Sequence, residues 1–91
     1  MSDIQIVSRA LAVSRNRLES APDFRLYRSI VKQLEYLLSI LEGSESDRSK
    51  LGDIIIGVYA DREFDGSDQE LFNSLKEAQG VAYKMENSVR T

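Results

Sequence analysis

Apolar residues recur at intervals of three and four along most of the chain, and this spacing defines one face of an α-helix. The first such run extends from Asp3 to Ser20. Its predicted buried face consists of Ile4, Val7, Leu11, Ser14 and Leu18. The pattern therefore predicts a first helix over residues 3–20.

A second and more apolar helix is predicted around the only proline, Pro22. Ser20 is the expected N-cap, and Pro22 would lie in the first turn, where a missing N–H group costs little. Gly43 is the expected left-handed residue after the last turn. The apolar positions in between are Tyr27, Ile30, Val31, Leu34, Leu37, Leu38 and Leu41. This helix is predicted to be the spine of the core.

The segment from Asp47 to Phe64 can be interpreted in two ways. Three consecutive isoleucines at 54–56, followed by Val58, favour a strand locally. A single strand would leave its backbone groups without partners, so a helix beginning behind Ser46 or Asp47 is favoured. Its predicted buried face is Leu51, Ile54, Ile55, Val58 and Arg62. A strand remains the alternative for residues 53–59.

The last helix is predicted to begin behind Ser67, which forms an S-x-x-E capping box with Glu70. Its predicted buried face is Leu71, Phe72, Leu75, Ala78, Ala82, Met85 and Val89. Four helices with short connections predict an all-α fold, a compact antiparallel four-helix bundle or helical array. We expect a single helical domain over residues 1–91.

Composition narrows the class of protein. Apolar residues make up 42% of the 91 residues and charged residues 30%, as in ordinary folded soluble proteins. Cysteine is absent, which excludes disulfides and thiolate metal sites. The first residues do not have the pattern of a signal peptide, and no run approaches the ~20 apolar residues of a membrane span. We expect a cytoplasmic protein that does not associate with membranes.

Negative charge is concentrated in the middle of the chain. The net charge is −3, but residues 43–70 hold eight acids and three bases and carry −5. Five of those acids lie in "DREFDGSDQE", residues 61–70, which we call the acidic segment. Nucleic-acid binding is not expected, because phosphate recognition needs clustered Lys and Arg. The acidic segment is either a surface for a partner or a solvated, solubilising face.

The acidic segment matches the first half of a calcium loop. Asp61, Glu63, Asp65 and Gly66 occupy the first, third, fifth and sixth positions of such a loop. The twelfth position must supply a bidentate carboxylate, and Phe72 stands there instead. A turn followed by a helix start explains the same residues, so no metal site is predicted.

No catalytic motif is present. The chain has no histidine, no G-x-S-x-G, no P-loop and no glycine-rich phosphate cradle. Paired carboxylates can hydrolyse bonds, but they need a concave pocket that a bundle of this size rarely contains. We therefore expect neither an enzyme nor a cofactor.

Tyr59 and Phe64 lie beside these acids, and aromatic residues next to charge are typical anchors of protein interfaces. The other aromatic residues are expected to pack in or beside the core. The predicted surface for a protein partner consists of Tyr59, Asp61, Glu63, Phe64, Asp65, Asp68 and Glu70.

The order of motifs resembles a family of small helical immunity proteins that neutralise effectors of bacterial type VI secretion. The resemblance covers roughly Ser8 to Tyr83. Its most specific pieces are Asp47-Arg48-Ser49 and Glu63-Phe64-Asp65, followed by Asp68, Glu70, Leu71, Leu75 and Lys76. Gln69 departs from the pattern, because relatives are expected to have proline there. The best-known relatives act against effectors that destroy NAD(P)+ or that consume ADP and ATP to make (p)ppApp.

The resemblance implies inhibition by occlusion, in which the protein binds a cognate toxin domain in the producing cell and blocks its substrate cleft. A cleft that holds nucleotides needs positive charge, and the acidic segment would be attracted to it. The alternative is a non-enzymatic homo-oligomer, in which Ala78, Gly80 and Ala82 permit close approach of two helices. A homodimer stays open as a second state.

Overall fold

The computed structural model describes residues 1–88, and three long helices account for most of them. They are α1 (Asp3–Ser20), α2 (Arg25–Glu42) and α4 (Gln69–Ser88). Between α2 and α4 lie a 3₁₀ helix (Leu51–Asp53), α3 (Ile56–Tyr59) and a π-helix (Ala60–Phe64). No strand occurs in residues 1–88, which confirms the all-α prediction.

The helices enclose one core. α1 packs against both α2 and α4, and α4 also packs against the 3₁₀ helix, α3 and the π-helix. The series of short helices therefore occupies the place of the expected third helix. The largest completely buried side chains are Val7, Ser14, Ile30, Leu34, Leu37, Ile56, Leu71 and Leu75. No helix in the described part of the chain is long and apolar enough to cross a membrane.

The bounds of α1 agree with the sequence prediction. Ser2 and Gln5 form a capping box that starts the helix. Val7 and Leu11 are buried as predicted, whereas Ile4, in the first turn, is 41% exposed. Ser14 can be buried without an unpaired polar group, because its hydroxyl donates to the Ala10 carbonyl at 2.8 Å.

The predicted start of α2 is wrong. Ser20 is the last residue of α1, and α2 begins at Arg25, after Phe24, without a side-chain cap. The cause is Pro22, which disfavours helical backbone at the residue before it. A turn follows instead, closed by the Phe24 N–H donating to the Ala21 carbonyl at 3.0 Å. At the other end Gly43 has φ +81°, as predicted.

The choice of helix over strand is confirmed for α3, but the expected continuous helix from Asp47 is wrong. Ile55 and Val58, both predicted to be buried, are 40% and 47% exposed, whereas Ile56 is completely buried. The backbone passes from the 3₁₀ helix through extended Ile54 to α3 and the π-helix. Because no single period of 3.6 residues runs through this segment, its helical face could not be read from one spacing.

Two glutamine side chains hold this interrupted segment in place. The Ile55 N–H donates to Gln33 Oε1 at 2.8 Å, and the Gly57 N–H donates to Gln79 Oε1 at 3.0 Å. Gln79 Nε2 in turn donates to the Ile54 carbonyl at 2.9 Å. These bonds satisfy backbone groups that a continuous helix would have paired internally. Gly57 is required here because a Cβ atom would lie 2.8 Å from Gln79 Cγ.

The predicted cap of α4 is also wrong by one residue. Asp68 directly precedes the helix, and its Oδ1 accepts from the Leu71 N–H at 3.3 Å. Ser67 instead donates from its hydroxyl to the Glu63 carbonyl at 3.0 Å. The turn at Gly66, with φ +84°, places the helix start one residue later than the capping-box pattern indicates.

The buried face of α4 agrees with the prediction at Leu71, Leu75, Ala78, Ala82 and Met85. Phe72 is half-buried, and the predicted Val89 lies outside the described residues.

Candidate functional site

The acidic segment forms a surface at the junction of the π-helix and α4. Asp61 and Glu63 belong to the π-helix, Asp65 to the turn, and Glu70 to the first turn of α4. These four side chains are exposed, and Asp68 is half-buried. The five acids predicted for the partner surface therefore lie on one continuous stretch of folded chain.

Arg17, at the end of α1, forms ion pairs with two of the five acids. Its Nε and Nη2 atoms donate to the two Asp68 carboxylate oxygens at 2.7 and 3.1 Å. Nη2 also donates to Glu70 Oε1 at 2.9 Å. The hydrogen bond from Arg17 is the main cause that holds the pKa of Asp68 below its ordinary value. The same bond raises the pKa of Arg17. Asp68 thus fastens α4 to α1 in addition to capping the helix.

The remaining acids divide into one paired and two unpaired groups. Asp61 Oδ2 lies 3.0 Å from Lys76 Nζ on α4. Glu63 and Asp65 form no ion pair within residues 1–88. Glu63 and Asp65 are therefore the acids of this surface that have no cationic partner in the described part of the chain.

Phe64 is a core residue, so the expectation that it is an exposed anchor is wrong. Its side chain is 5% exposed and stacks on Tyr27, with ring centroids 5.9 Å apart and an interplanar angle of 12°. Tyr27 meets Phe24 edge to face at 4.7 Å. The π-helix turns Ala60 and Phe64 inward while its acids face solvent. Tyr59, the other predicted anchor, is half-buried against the core.

The incomplete calcium loop is not assembled into a ligand cluster. Across the described residues, no group of three or more acidic side chains is placed to hold a metal ion. Asp61 is directed to Lys76 and Asp68 to Arg17, so neither carboxylate joins Glu63 and Asp65 around a common point.

A shallow cavity of about 240 Å³ lies between α2 and the 3₁₀ helix, and the sequence did not predict it. It is lined by Lys32, Gln33, Tyr36, Lys50, Asp53 and Ile54. The Tyr36 hydroxyl donates to the Asp47 carbonyl at 2.6 Å and accepts from the Lys50 N–H at 3.3 Å. Burial is the main cause that raises the pKa of Tyr36.

The Asp47-Arg48-Ser49 motif lies in the connection between α2 and the 3₁₀ helix, beside this cavity. Asp47 Oδ1 accepts from the Ser49 N–H at 3.0 Å, which makes an Asx turn. Hydrogen bonds from Ser49 lower the pKa of Asp47. The motif therefore shapes the connection between α2 and the 3₁₀ helix.

Comparison with known proteins identifies the family of this chain. A family profile described as Tsi6 matches residues 2–84. The immune protein Tsi6 of Pseudomonas aeruginosa is 38% identical over 84 residues, which cover 92% of this chain and 89% of the relative. The chain belongs to the Tsi6 family. The resemblance to immunity proteins is thus confirmed.

Solved structures of the family have the same fold. The structure of Tsi6 from Pseudomonas aeruginosa has a TM-score of 0.85 and 39% identity, over 90% of this chain and 95% of that one. A chain in the structure of Tse6 in complex with Tsi6 has a TM-score of 0.91 and 36% identity, over 97% and 94% of the two chains. The helical arrangement described above is therefore that of the Tsi6 family.

Three positioning residues were missed by the sequence analysis, namely Arg17, Gln33 and Gln79. The glutamines did leave a signal, because each is a polar residue at helical spacing among buried ones. Gln33 lies between Ile30 and Leu37 on α2, and Gln79 lies on the same side of α4 as Leu75. Arg17 left no comparable signal, because its partner Asp68 is 51 residues away.

The helix face predicted to pair in a homo-oligomer is buried inside the protein itself. Ala78 and Ala82, expected to let two helices approach, are 0% and 1% exposed and form part of the protein's own core. Only Gly80 of that group is exposed. A second copy cannot pack against a face that α1 and the short helices already cover.

Asp68→Ala is expected to lower the free energy of unfolding at neutral pH by about 1–3 kcal/mol, through loss of a helix cap and a charged hydrogen bond. Because the folded-state pKa of Asp68 is lowered, its contribution is complete above the ordinary carboxyl pKa and is lost as the pH falls through the lowered value. Urea unfolding at several pH values should therefore show wild type and variant converging in acid.

Two controls separate these effects. Asp68→Asn keeps an oxygen for the cap and should cost less than Asp68→Ala, and Ser67→Ala should change stability little, since Ser67 is not the cap. A larger loss in Ser67→Ala than in Asp68→Ala would contradict the assignment.

Proposed function

We propose that this protein is an immunity protein that binds the toxin domain of a cognate effector and blocks its active site. The observation that carries the proposal is the relation to the Tse6–Tsi6 complex, in which a chain with 36% identity matches 97% of this one. A relative with near-complete coverage and the same fold favours the same kind of partner. We infer no enzymatic activity and no cofactor of its own.

The acidic segment is the proposed contact surface. Glu63 and Asp65 contribute most, because their charges are not neutralised by a neighbour within residues 1–88. Asp61, Asp68 and Glu70 already have cationic partners and contribute at the rim. Tyr59 supplies the half-buried aromatic edge, and Phe64 supports the π-helix from below. A contact between one of these unpaired acids and a cationic residue of the partner loses water on binding, so its substitution is expected to change the affinity most.

The proposed partner surface is a basic nucleotide-binding cleft. Enzymes that act on NAD(P)+ or on adenine nucleotides hold phosphates with cationic groups, and these groups would attract Glu63 and Asp65. An acidic protein surface in that cleft excludes the substrate by occupying the same positive sites. The cytoplasm is the compartment in which such protection is needed.

Inhibition of the cognate effector tests the proposal. The purified toxin domain of the cognate effector should lose its nucleotide-consuming activity in proportion to added protein and reach full inhibition near one equivalent. Raising the nucleotide concentration should relieve inhibition, because substrate and protein compete for one cleft. A complex that leaves activity intact would contradict occlusion, and absence of a complex would contradict the choice of partner.

A further inference from the structure

Phe24 is a large apolar residue that the fold leaves in solvent at the turn between α1 and α2. It is 42% exposed and directly precedes the first residue of α2. That position usually holds Ser, Thr, Asp or Asn, whose side chain caps the first turn, but Phe24 leaves the helix without such a bond. Neither capping nor burial accounts for a phenylalanine here, and departures from local rules of this kind are expected at binding sites.

The turn holds Phe24 in a defined position. Its N–H donates to the Ala21 carbonyl at 3.0 Å, and the Ala21 N–H donates to the Arg17 carbonyl, also at 3.0 Å. The Phe24 carbonyl in turn accepts from the Tyr27 N–H at 3.1 Å. An exposed ring on a backbone that is fixed at both its N–H and its carbonyl loses less entropy on association than a ring on an unfixed loop.

Two ring contacts connect Phe24 to the acidic segment. The Phe24 ring meets Tyr27 edge to face at 4.7 Å, and Tyr27 stacks on Phe64 at 5.9 Å. Phe64 lies in the chain between Glu63 and Asp65, the two acids without a cationic partner within residues 1–88. The row of rings thus extends from the core beneath the π-helix to solvent at Phe24. The exposed ring therefore borders the acidic segment.

A second connection runs through Arg17. Its carbonyl accepts the hydrogen bond of the turn that carries Phe24, while its guanidinium pairs with Asp68 and Glu70 at the start of α4. The turn and the last acids of the acidic segment are thus held by one residue. Phe24 and the acidic segment therefore belong to the same end of the molecule.

The exposed charges beside Phe24 have both signs. They belong to Asp23, Arg25 and Arg28, and Arg62 adds a further cation on the π-helix. A mixture of this kind provides no attraction of its own for a basic partner. Attraction must therefore come from Glu63 and Asp65, whereas Phe24 offers apolar contact, which salt does not screen.

We propose that Phe24 is the apolar anchor of the contact surface and inserts into an apolar pocket of the toxin domain, beside the cationic cleft that takes Glu63 and Asp65. This inference rests on the proposed function and adds a second, chemically different part of the partner. Ligand clefts are lined mainly by apolar groups with a few charged ones, so they offer both kinds of contact. Aromatic anchors beside charged residues are typical of protein interfaces, and Phe64 cannot be the anchor because it is 5% exposed.

Binding kinetics at two salt concentrations test the inference with the intact protein and the toxin domain of the cognate effector. Phe24→Ala should weaken binding about 10- to 100-fold, mainly through faster dissociation, and by the same factor at about 0.05 M and about 0.5 M salt. Phe24→Leu should restore part of the affinity. Glu63→Gln with Asp65→Asn should also weaken binding, but by a factor that falls as the salt concentration rises.

Tyr83→Ala is the matched control and should bind like the wild type. Tyr83 is a 65% exposed aromatic residue on α4. It lies fifteen residues along that helix from Asp68, which is roughly 22 Å at the usual rise. Phe24→Gln is a second variant that removes the ring but keeps a stem against Tyr27, and it replaces Phe24→Ala if circular dichroism shows that the alanine variant is unfolded.

Phe24→Ala combined with Glu63→Gln and Asp65→Asn separates direct contact from positioning. Direct contact predicts the same fold-loss from Phe24→Ala whether or not the acids are present. A loss that occurs only with the acids intact would mean that the ring merely positions them, and it would overturn the proposal. Folded ring-deletion variants that bind as tightly as the wild type would also overturn it, while leaving the proposed function in place. Absence of any complex with the wild type would overturn both.

Discussion

Phe64→Ala is expected to destabilise the protein by about 3–5 kcal/mol, the usual cost of removing a buried aromatic side chain. The loss comes from the cavity under the π-helix and from the missing stack with Tyr27. A domain of this size has about 5–15 kcal/mol in total, so the variant should unfold at much lower urea concentration. Equilibrium unfolding followed by circular dichroism measures this directly.

Phe64→Leu is the control, because it keeps most of the buried volume and should cost clearly less. Val58→Ala, at an exposed apolar position in the neighbouring turn, should be nearly neutral. If Phe64→Ala unfolds like the wild type but loses partner binding, Phe64 is an interface anchor and its place in the core is wrong.

The long helices could be predicted because their buried faces follow from the local spacing of apolar residues. α1 has the predicted bounds, and α4 has its predicted buried face at Leu71, Leu75 and Ala78. The ends were harder, because Ser20 and Ser67 satisfy the cap pattern while Pro22 and Gly66 shift the helix starts beyond them. Capping residues compete, and the turn geometry decides between them.

The segment from Leu51 to Phe64 could not be predicted from local spacing, because its conformation depends on distant side chains. Gln33 and Gln79 are 22 to 25 residues from the backbone groups they bind. Those bonds let the chain leave one helical period and begin another without unpaired polar groups. The result exposes Ile55 and buries Phe64, the reverse of what was predicted for both.

In the candidate site, the ion pairs of the acids could likewise not be predicted from the sequence. The sequence locates five acids in residues 61–70, but it does not show which of them are neutralised. Arg17 pairs with both Asp68 and Glu70, and Lys76 pairs with Asp61, so three of the five acids have an ion-pair partner. Charge counts along the chain therefore overestimate the number of acids on this surface that lack an ion-pair partner.

Reversal of both unpaired acids, Glu63→Lys with Asp65→Lys, is expected to weaken binding of the cognate toxin domain by roughly 100-fold or more. The reason is that like charges would then face a basic cleft, which costs far more than the loss of a favourable contact. Asp68 is left unchanged in this variant, because its substitution would destabilise the start of α4 and imitate a loss of binding.

The matched control is Glu42→Lys with Glu77→Lys, which makes the same change in net charge. Both glutamates are exposed, lie outside the acidic segment and form no ion pair in the described part of the chain. Long-range attraction to a basic partner should fall equally in the two double variants, so a difference between them reports contact at Glu63 and Asp65.

Calorimetric titration of the toxin domain with the wild type and the two double variants, each shown to be folded, tests the central claim most directly. Occlusion by the acidic segment predicts a one-to-one complex for the wild type and the control, and roughly 100-fold weaker binding for Glu63→Lys/Asp65→Lys. Equal affinity of all three proteins for the toxin domain would contradict it and would place the interface elsewhere on the molecule.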